Sequence, residues 1–211
     1  MRISVAAVIG VLILLAPPAS AQVAWESPYL LSPQTPDGFG ILLIDPAPGD
    51  GIGVLGMWRA NPTMQRGLGF RVGVAEDHGD GVAGFGGVDL TGPLVRSSGD
   101  FPADIIWTLG AGLGIGEDVL VSVPVGLSLG ASFDADGVVF SPYVGPRMIL
   151  DGVLGNDGPG NGSRGGDDLN INFAVDLGMD IAFSPDWIVR FGWSAGDHEA
   201  LGIGLMFQGL R

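Results

Sequence analysis

The feature that most constrains the fold is the stretch 169–183, LNINFAVDLGMDIAF, in which large apolar side chains occupy every second position. A period of two is typical of a β-strand, because successive side chains of a strand point to opposite faces. Strands of globular proteins usually span about 5–6 residues, and this one is far longer. Its second face carries Asp, Asn, Gly and Ala. The strand therefore needs surroundings that accept a long apolar face backed by small polar residues.

The same alternation recurs along the chain and predicts ten strands, with eight as the alternative because the first and fourth are less regular. Turn-forming sequences such as NPT, HGDG, DADG and SPD separate the strands. Pro142 and Pro146 lie on the apolar face of the seventh strand and predict an interruption or bulge there. The predicted strands span 38–45, 51–59, 67–74, 82–90, 104–116, 119–130, 139–150, 169–183, 187–194 and 199–208.

The N-terminus predicts export. Arg2 precedes an apolar run over residues 3–15, which an A-x-A site ending at Ala21 follows. The run is too short for a membrane-spanning helix. The predicted segments are a signal peptide over 1–21, a periplasmic lead-in over 22–37 and one domain over 38–211.

The composition narrows the choice of environment and partners. The chain has no Cys and therefore no disulfide framework. Its hydrophobic fraction of 46% and charged fraction of 15% are unusual for a secreted soluble domain. The formal net charge of −14 makes nucleic acid a poor partner.

Two architectures accept many alternating strands. A soluble β-sandwich turns its polar face to water, and that face should carry long charged side chains. Here the second face is mostly Gly, Ser and Ala with a few Asp and Arg, which suits a confined space. In a transmembrane barrel the apolar face meets lipid and the other face lines the lumen. The sequence therefore favours an all-β, up-and-down antiparallel transmembrane β-barrel.

Over roughly residues 38–208 the pattern resembles the small outer-membrane β-barrel proteins of Gram-negative bacteria. Their last strand ends in an aromatic residue that the barrel-insertion machinery reads. LGIGLMF, 201–207, resembles this signal, although four residues follow Phe207. The resemblance implies a location in the cell outer membrane, with outer-membrane lipid and the insertion machinery as partners. It names no partner for the loops.

Aromatic and charged residues give two further expectations. If the first strand starts at the periplasm, a set of aromatic residues falls near the periplasmic ends of the strands, as a membrane interface favours. By parity, a set of charged residues faces the lumen, either as stabilising pairs that fill the bore or as the lining of a small pore. The aromatic set is Phe39, Trp58, Trp107, Phe140, Phe183, Trp187 and Phe207; the charged set is Arg59, Arg71, Asp89, Arg147, Asp176, Asp180 and Arg190.

Several motifs invite a catalytic or metal-binding interpretation. GWSAG, 192–196, matches the G-x-S-x-G nucleophile elbow around Ser194, but no predicted helix follows it. Loop residues on the outer rim, Asp77 and His78 with Asp197 and His198, are similar in type to those of outer-membrane proteases. GNDGPGNGSRGGDD and DADG are rich in Ca²⁺-type ligands, yet neither keeps a complete loop spacing.

The motifs predict no catalytic residue, no metal and no cofactor. The expected function is a structural or surface-interaction barrel with a largely filled lumen. The alternative is a porin-like small-solute pore. A rim-located hydrolase and a soluble secreted β-sandwich are less favoured.

Overall fold

The computed structural model describes residues 28–45, 51–77, 81–115, 119–154 and 169–208. Within these ranges no helix is long and apolar enough to cross a membrane. A 3-10 turn, Thr63–Gln65, lies in the connection between two of the strands. The strands are β1 Gly38–Asp45, β2 Gly53–Arg59, β3 Leu68–Asp77, β4 Gly81–Val95, β5 Asp104–Ile115, β6 Val119–Gly130, β7 Phe133–Ala135, β8 Val138–Leu154, β9 Leu169–Ala182, β10 Trp187–Gly196 and β11 Ala200–Phe207.

The strands close into one antiparallel barrel. Consecutive strands pair from β1 to β6 and from β8 to β11, β1 pairs with β11, and β6 pairs with β8. The three-residue β7 continues β6 along β8 in the same register, since Gly130 is opposite Tyr143 and Phe133 is opposite Phe140. The wall of the barrel therefore consists of ten strands, when β6 and β7 are counted as one, and the predicted ten-stranded up-and-down barrel is confirmed. Closure leaves no free sheet edge among the ten.

Two predictions about single strands need correction. The expected interruption at Pro142 and Pro146 is absent from the β8–β9 ladder, which keeps one register from Val139 to Gly152. Both prolines point outward, and only the β6–β8 ladder lacks pairs beside Pro146. The fourth strand does not end at residue 90 but continues to Val95 through a register shift after Pro93. The sequence TGPLV hid this extension because Gly and Pro usually indicate a turn.

The barrel has inverted polarity. Burial alternates along most of the strands, and the exposed positions are mainly the large apolar ones, such as Ile41 and Leu43 in β1 and Leu201 and Ile203 in β11. The inward positions carry the Arg and Asp residues together with Gly and Ser. A closed barrel with an apolar exterior satisfies its backbone groups within the sheet, which is what a lipid environment requires.

We call the end where β1 begins and β11 ends the lower end, and the opposite end the upper end. The connections at the lower end have four to eight residues, from 183–186 between β9 and β10 to 60–67 between β2 and β3 and 96–103 between β4 and β5. The lumen between the two ends contains an apolar cluster on one side. This cluster comprises Leu42, Ile44, Leu55, Met57, Ala75 and Phe85 of the wall with Tyr29, Leu30 and Leu31 of the chain before β1.

We expect the outer surface to tolerate charge only near its ends. Ile203 lies four positions above Phe207 on the outward face of β11 and is 44% exposed. Ile203→Arg should lower the free energy of unfolding in lipid bilayers by about 2–4 kcal/mol, the usual cost of Arg near the bilayer midplane. The measurement is denaturant unfolding in vesicles.

Glu199→Arg is the matched control, because Glu199 is exposed and precedes β11. It should change the free energy of unfolding by less than about 1 kcal/mol, as at membrane interfaces. Equal effects of the two substitutions would contradict a lipid-facing position for Ile203.

Candidate functional site: the filled lumen

Residues 28–35, which we call the N-terminal segment, lie inside the barrel. Tyr29, Leu30, Leu31, Ser32 and Thr35 are all buried, and their contacts are with inward-facing wall residues. Residues 22–37 were expected to precede the barrel as a periplasmic lead-in, but residues 28–35 of this range lie inside the lumen. Residues 1–27, including the predicted signal peptide and its cleavage site, lie outside the described residues.

A tight turn anchors the segment at the lower end. The Ser32 amide donates to Thr35 Oγ1 at 3.0 Å, and the Thr35 amide donates to the Ser32 carbonyl at 3.0 Å. Thr63, in the lower connection between β2 and β3, is fully buried and donates its hydroxyl to the Ser32 carbonyl at 2.9 Å. Gln34 Nε2 donates to Asp104 Oδ2 of β5 at 2.7 Å. The turn is therefore joined to two separate parts of the barrel rim.

Leu30 is the most constrained residue of the segment. Its φ of 54° lies in the left-handed region, which residues other than Gly, Asn and Asp rarely adopt. Its side chain is fully buried against the inward faces of Gly192 and Gly202, and a Cβ at Gly192 would clash with it. A strained residue persists only where its surroundings hold it. The glycines of β10 and β11 therefore provide the cleft that receives Leu30.

Two arginines of the lower lumen share one carboxylate. Arg59 Nη2 forms an ion pair with Asp89 Oδ1, and Arg71 Nε lies 3.5 Å from Asp89 Oδ2. All three side chains are buried. Arg59 also donates to Thr91 Oγ1 at 3.3 Å. One carboxylate between two guanidinium groups leaves donors that require other acceptors, and Arg71 Nη2 donates to the Tyr29 carbonyl at 2.6 Å.

Arg190 connects the wall to the N-terminal segment. It forms a two-point pair with Asp180, at 2.7 Å from Nε to Oδ1 and 2.5 Å from Nη2 to Oδ2. Nη1 also donates to the Leu30 carbonyl and Nη2 to Thr35 Oγ1, each at 2.9 Å. Arg190 is 0% exposed. A buried two-point pair in which every guanidinium nitrogen is hydrogen-bonded is the arrangement in which such a charge is tolerated.

The middle of the lumen contains a third pair. Arg147 Nε lies 3.0 Å from Asp176 Oδ2, and Arg147 Nη2 donates to Ser194 Oγ at 2.9 Å. The Ser194 hydroxyl in turn donates to Asp176 Oδ1. The Tyr29 ring contacts two guanidinium groups, with its centroid 5.1 Å from Arg71 Cζ and 5.7 Å from Arg147 Cζ. These distances are within the range of cation–π attraction.

A further polar cluster lies near the upper end. His198 Nε2 and Asp151 Oδ2 are 3.1 Å apart, and Asn172 Nδ2 donates to the same carboxylate oxygen at 2.6 Å. His198 is buried, although its place in a turn predicted a rim residue. Asp197 is exposed and accepts from the Phe173 amide at 2.8 Å. His78 and the side chain of Asp77 lie outside the described residues.

The seven predicted lumen charges therefore fall into three groups joined by ion pairs. The strand register brings Arg59, Asp89 and Arg71 together in the first, Arg190 and Asp180 in the second, and Arg147 and Asp176 in the third. Ser194 belongs to the third group rather than to a nucleophile elbow, since β10 continues past it to Gly196 without a helix. It is fully buried.

The aromatic set follows the lower end of the barrel. Register pairs Phe39 with both Trp58 and Phe207, and Trp187 with Phe207. The centroids of the Trp187 and Phe207 rings are 5.0 Å apart. Trp58 stacks on Phe70 at 5.4 Å, and Phe70 is not a member of the predicted aromatic set. Trp107 and Phe140 occupy the corresponding part of β5 and β8, and Phe183 follows the end of β9.

Sequence reasoning missed the N-terminal segment and the apolar side of the lumen. SPYLLSPQT has no period of its own, so nothing in it indicated a buried position. The apolar side had a visible signal: ILLI at 41–44 is continuous rather than alternating. Strands buried on both faces have such runs. Leu42 and Ile44 were therefore readable as inward apolar residues.

The sequence matches no protein-family model and no curated protein. Among solved structures it is similar to the crystal structure of Ail, the attachment invasion locus protein of Yersinia pestis, in complex with the heparin analogue sucrose octasulfate. The identity is 9%, the alignment covers 81% of this chain and 98% of that chain, and the TM-score is 0.27. The chain shares with the small outer-membrane barrels of Gram-negative bacteria the closed, up-and-down, apolar-surfaced architecture described above.

The Arg190–Asp180 pair allows a double-mutant cycle. Asp180→Ala should lower the free energy of unfolding by about 3–5 kcal/mol, because it leaves a buried guanidinium without its carboxylate. Adding Arg190→Met should recover part of this loss, since the unpaired charge is then removed. Denaturant unfolding of the folded barrel measures all four free energies.

Asp186→Ala is the control, because Asp186 is an exposed turn residue at the same end. It should have little effect on the free energy of unfolding. If Asp180→Ala and Arg190→Met had simply additive effects, the two residues would not be coupled in the folded barrel.

Proposed function

We propose that the protein is an outer-membrane β-barrel with a structural or surface-interaction role and a closed lumen. The observation that carries this proposal is the contrast between an apolar exterior on all strands and a lumen occupied by paired charges and the N-terminal segment. An apolar surface of this extent is unusual on a soluble monomer but is what lipid requires. The filled lumen favours this role over a porin-like open pore.

The proposed orientation places the lower end at the periplasm. Barrels of this class have short periplasmic turns and longer outer loops, with aromatic residues at the membrane interfaces. The lower end has the aromatic set; its connections have four to eight residues, whereas three of the five upper connections have three. The orientation therefore rests on the aromatic set and on the longest connection. The β8–β9 connection, residues 155–168, is the longest in the sequence and leaves from the upper end. The outer loops are therefore the proposed contact surface, and β11 with Phe207 the proposed signal for the insertion machinery.

We also propose that the barrel is not an enzyme. Ser194 is fully buried, and Asp176 and Arg147 occupy its hydroxyl. His198 faces Asp151 in the lumen rather than an open rim. A nucleophile and its base must reach a substrate, and neither residue does so in this arrangement. No cofactor is proposed.

The membrane location can be tested by fractionation. The protein should remain in outer-membrane fractions after a carbonate wash, because its exterior is buried in lipid. An unboiled sample should also migrate differently from a boiled one on a gel, since a closed barrel resists detergent. Recovery of the folded protein in the soluble periplasm would overturn the proposal.

Conductance in planar bilayers distinguishes a closed barrel from a pore. The unmodified protein should show at most a very small conductance, and Arg147→Ala should increase it because a long side chain leaves the middle of the lumen. Arg96→Ala is the control, since Arg96 lies outside the lumen and donates to the Met64 carbonyl. A large, stable conductance of the unmodified protein would favour the porin-like alternative.

A further inference from the structure

We infer that the N-terminal segment is a displaceable plug, and that the lumen is a peptide-binding passage that conducts ions when the plug leaves. The inference rests on the proposed function, because a gate requires a barrel that spans a membrane. It assigns the segment a role of its own, distinct from the fixed charge pairs of the wall. The occupant of the passage is residues 28–35 of this chain.

The forces that hold the plug differ from those that hold the wall. The wall is closed by backbone ladders between all neighbouring strands. The described residues before β1 form no strand and enter none of these ladders. Side chains provide most of the hydrogen bonds to the plug: Arg71 and Arg190 donate to its carbonyls, and the Thr63 hydroxyl donates at its lower turn. The Thr63 amide adds one backbone bond, to the Thr35 carbonyl at 3.0 Å, outside the strand ladders. The plug can therefore leave without breaking any ladder of the barrel.

Two further features favour release over permanent burial. Leu30 keeps its left-handed backbone only while the Gly192–Gly202 cleft holds its side chain. A cavity of about 460 Å³ also lies at the lower end between the plug turn and the wall, with Gln34 on one side and Ser141, Asp180 and Ile188 on the other. The turn thus borders open space, into which it can move without first separating the strands.

The contacts define the chemistry that the passage recognises. One aromatic ring contacts both the Arg71 and the Arg147 guanidinium groups, and the next residue fills an apolar cleft lined by glycines. The carbonyls of these two residues accept from Arg71 and Arg190. A peptide with an aromatic–leucine pair in an irregular conformation satisfies all of these groups. The passage should therefore bind the sequence PYLLSPQT when it is added as a free peptide.

The first experiment weakens the plug and leaves the wall unchanged. Tyr29→Ala with Leu30→Ala removes the ring and the cleft-filling side chain. The variant should spend at least about tenfold more time open in planar bilayers than the unmodified protein, because the equilibrium between plugged and open states shifts by the factor in affinity that the plug loses. Added PYLLSPQT peptide should close it, whereas PAALSPQT should not.

A redox switch in the same polypeptide provides the control. The chain has no Cys, so an added pair is the only one that can form a disulfide. Pro28 Cβ lies 3.2 Å from the Cβ position of Gly192, close to the range of about 3.5–4.5 Å found in disulfides. With Pro28→Cys and Gly192→Cys added, the weakened variant should be closed when oxidised and open when reduced. Without the cysteines, its conductance should not respond to reductant.

The outcomes separate this inference from the proposed function. A weakened variant that resists carbonate extraction and keeps its gel shift, yet conducts no more than the unmodified protein, would overturn the plug but not the membrane barrel. Failure of the unmodified protein to enter membranes would overturn both.

If the double variant does not insert, Tyr29→Ala alone and thiol labelling of Leu30→Cys in the otherwise unmodified chain decide the question. The folded barrel should label slowly but completely with a water-soluble thiol reagent, as the plug leaves and returns. Labelling only after denaturation would contradict displacement.

Discussion

Buried guanidinium groups in a closed barrel must find acceptors inside it, and this requirement organises the lumen. Arg59 and Arg71 share the single carboxylate of Asp89, and the latter also reaches the Tyr29 carbonyl. Arg190 forms an ion pair with Asp180, which it does not share with a second arginine, and it also donates to two acceptors of the N-terminal segment. The wall therefore has more buried donors than its own carboxylates satisfy. The segment provides further acceptors, two backbone carbonyls and the Thr35 hydroxyl, which explains why an uncharged stretch of chain can occupy a charged lumen.

The lumen has two unlike sides, and the segment matches both. Leu42, Ile44 and Leu55 form an apolar side on β1 and β2, while β8, β9 and β10 provide Arg147, Asp176 and Arg190. The Leu30 and Leu31 side chains belong to the apolar cluster. The Leu30 carbonyl accepts from Arg190, and the Tyr29 ring contacts Arg147. The burial of apolar side chains contributes roughly 25 cal/mol per Å², so the segment adds stability on one side while it satisfies hydrogen bonds on the other. Neither side alone would fix its position.

The sequence predicted the wall much better than its contents. Strict alternation in 169–183 and 119–130 determines which residues face outward, and register follows because a one-residue slip would turn Phe173 and Val175 inward. The inward positions of the seven charged residues are a consequence of the same parity. Their pairing was not predictable, because it depends on the register between strands far apart in sequence, such as the 30 residues that separate Arg59 from Asp89. The N-terminal segment had no periodic signal, since an irregular stretch is specified by what it contacts and not by its own pattern.

The short connection between the N-terminal segment and β1 has a consequence for how long an empty lumen can last. Only two residues, Pro36 and Asp37, separate Thr35 from Gly38, the first residue of β1. A segment on so short a tether has an effective concentration at its binding site on the order of millimolar, and the stiff proline next to the turn limits the directions it can take. When the segment leaves the lumen, its return is therefore intramolecular. A competing peptide must compete with this local concentration of the segment and not with the bulk concentration of the protein. The barrel would open in brief intervals whose length is set by the tether and not by the supply of any ligand.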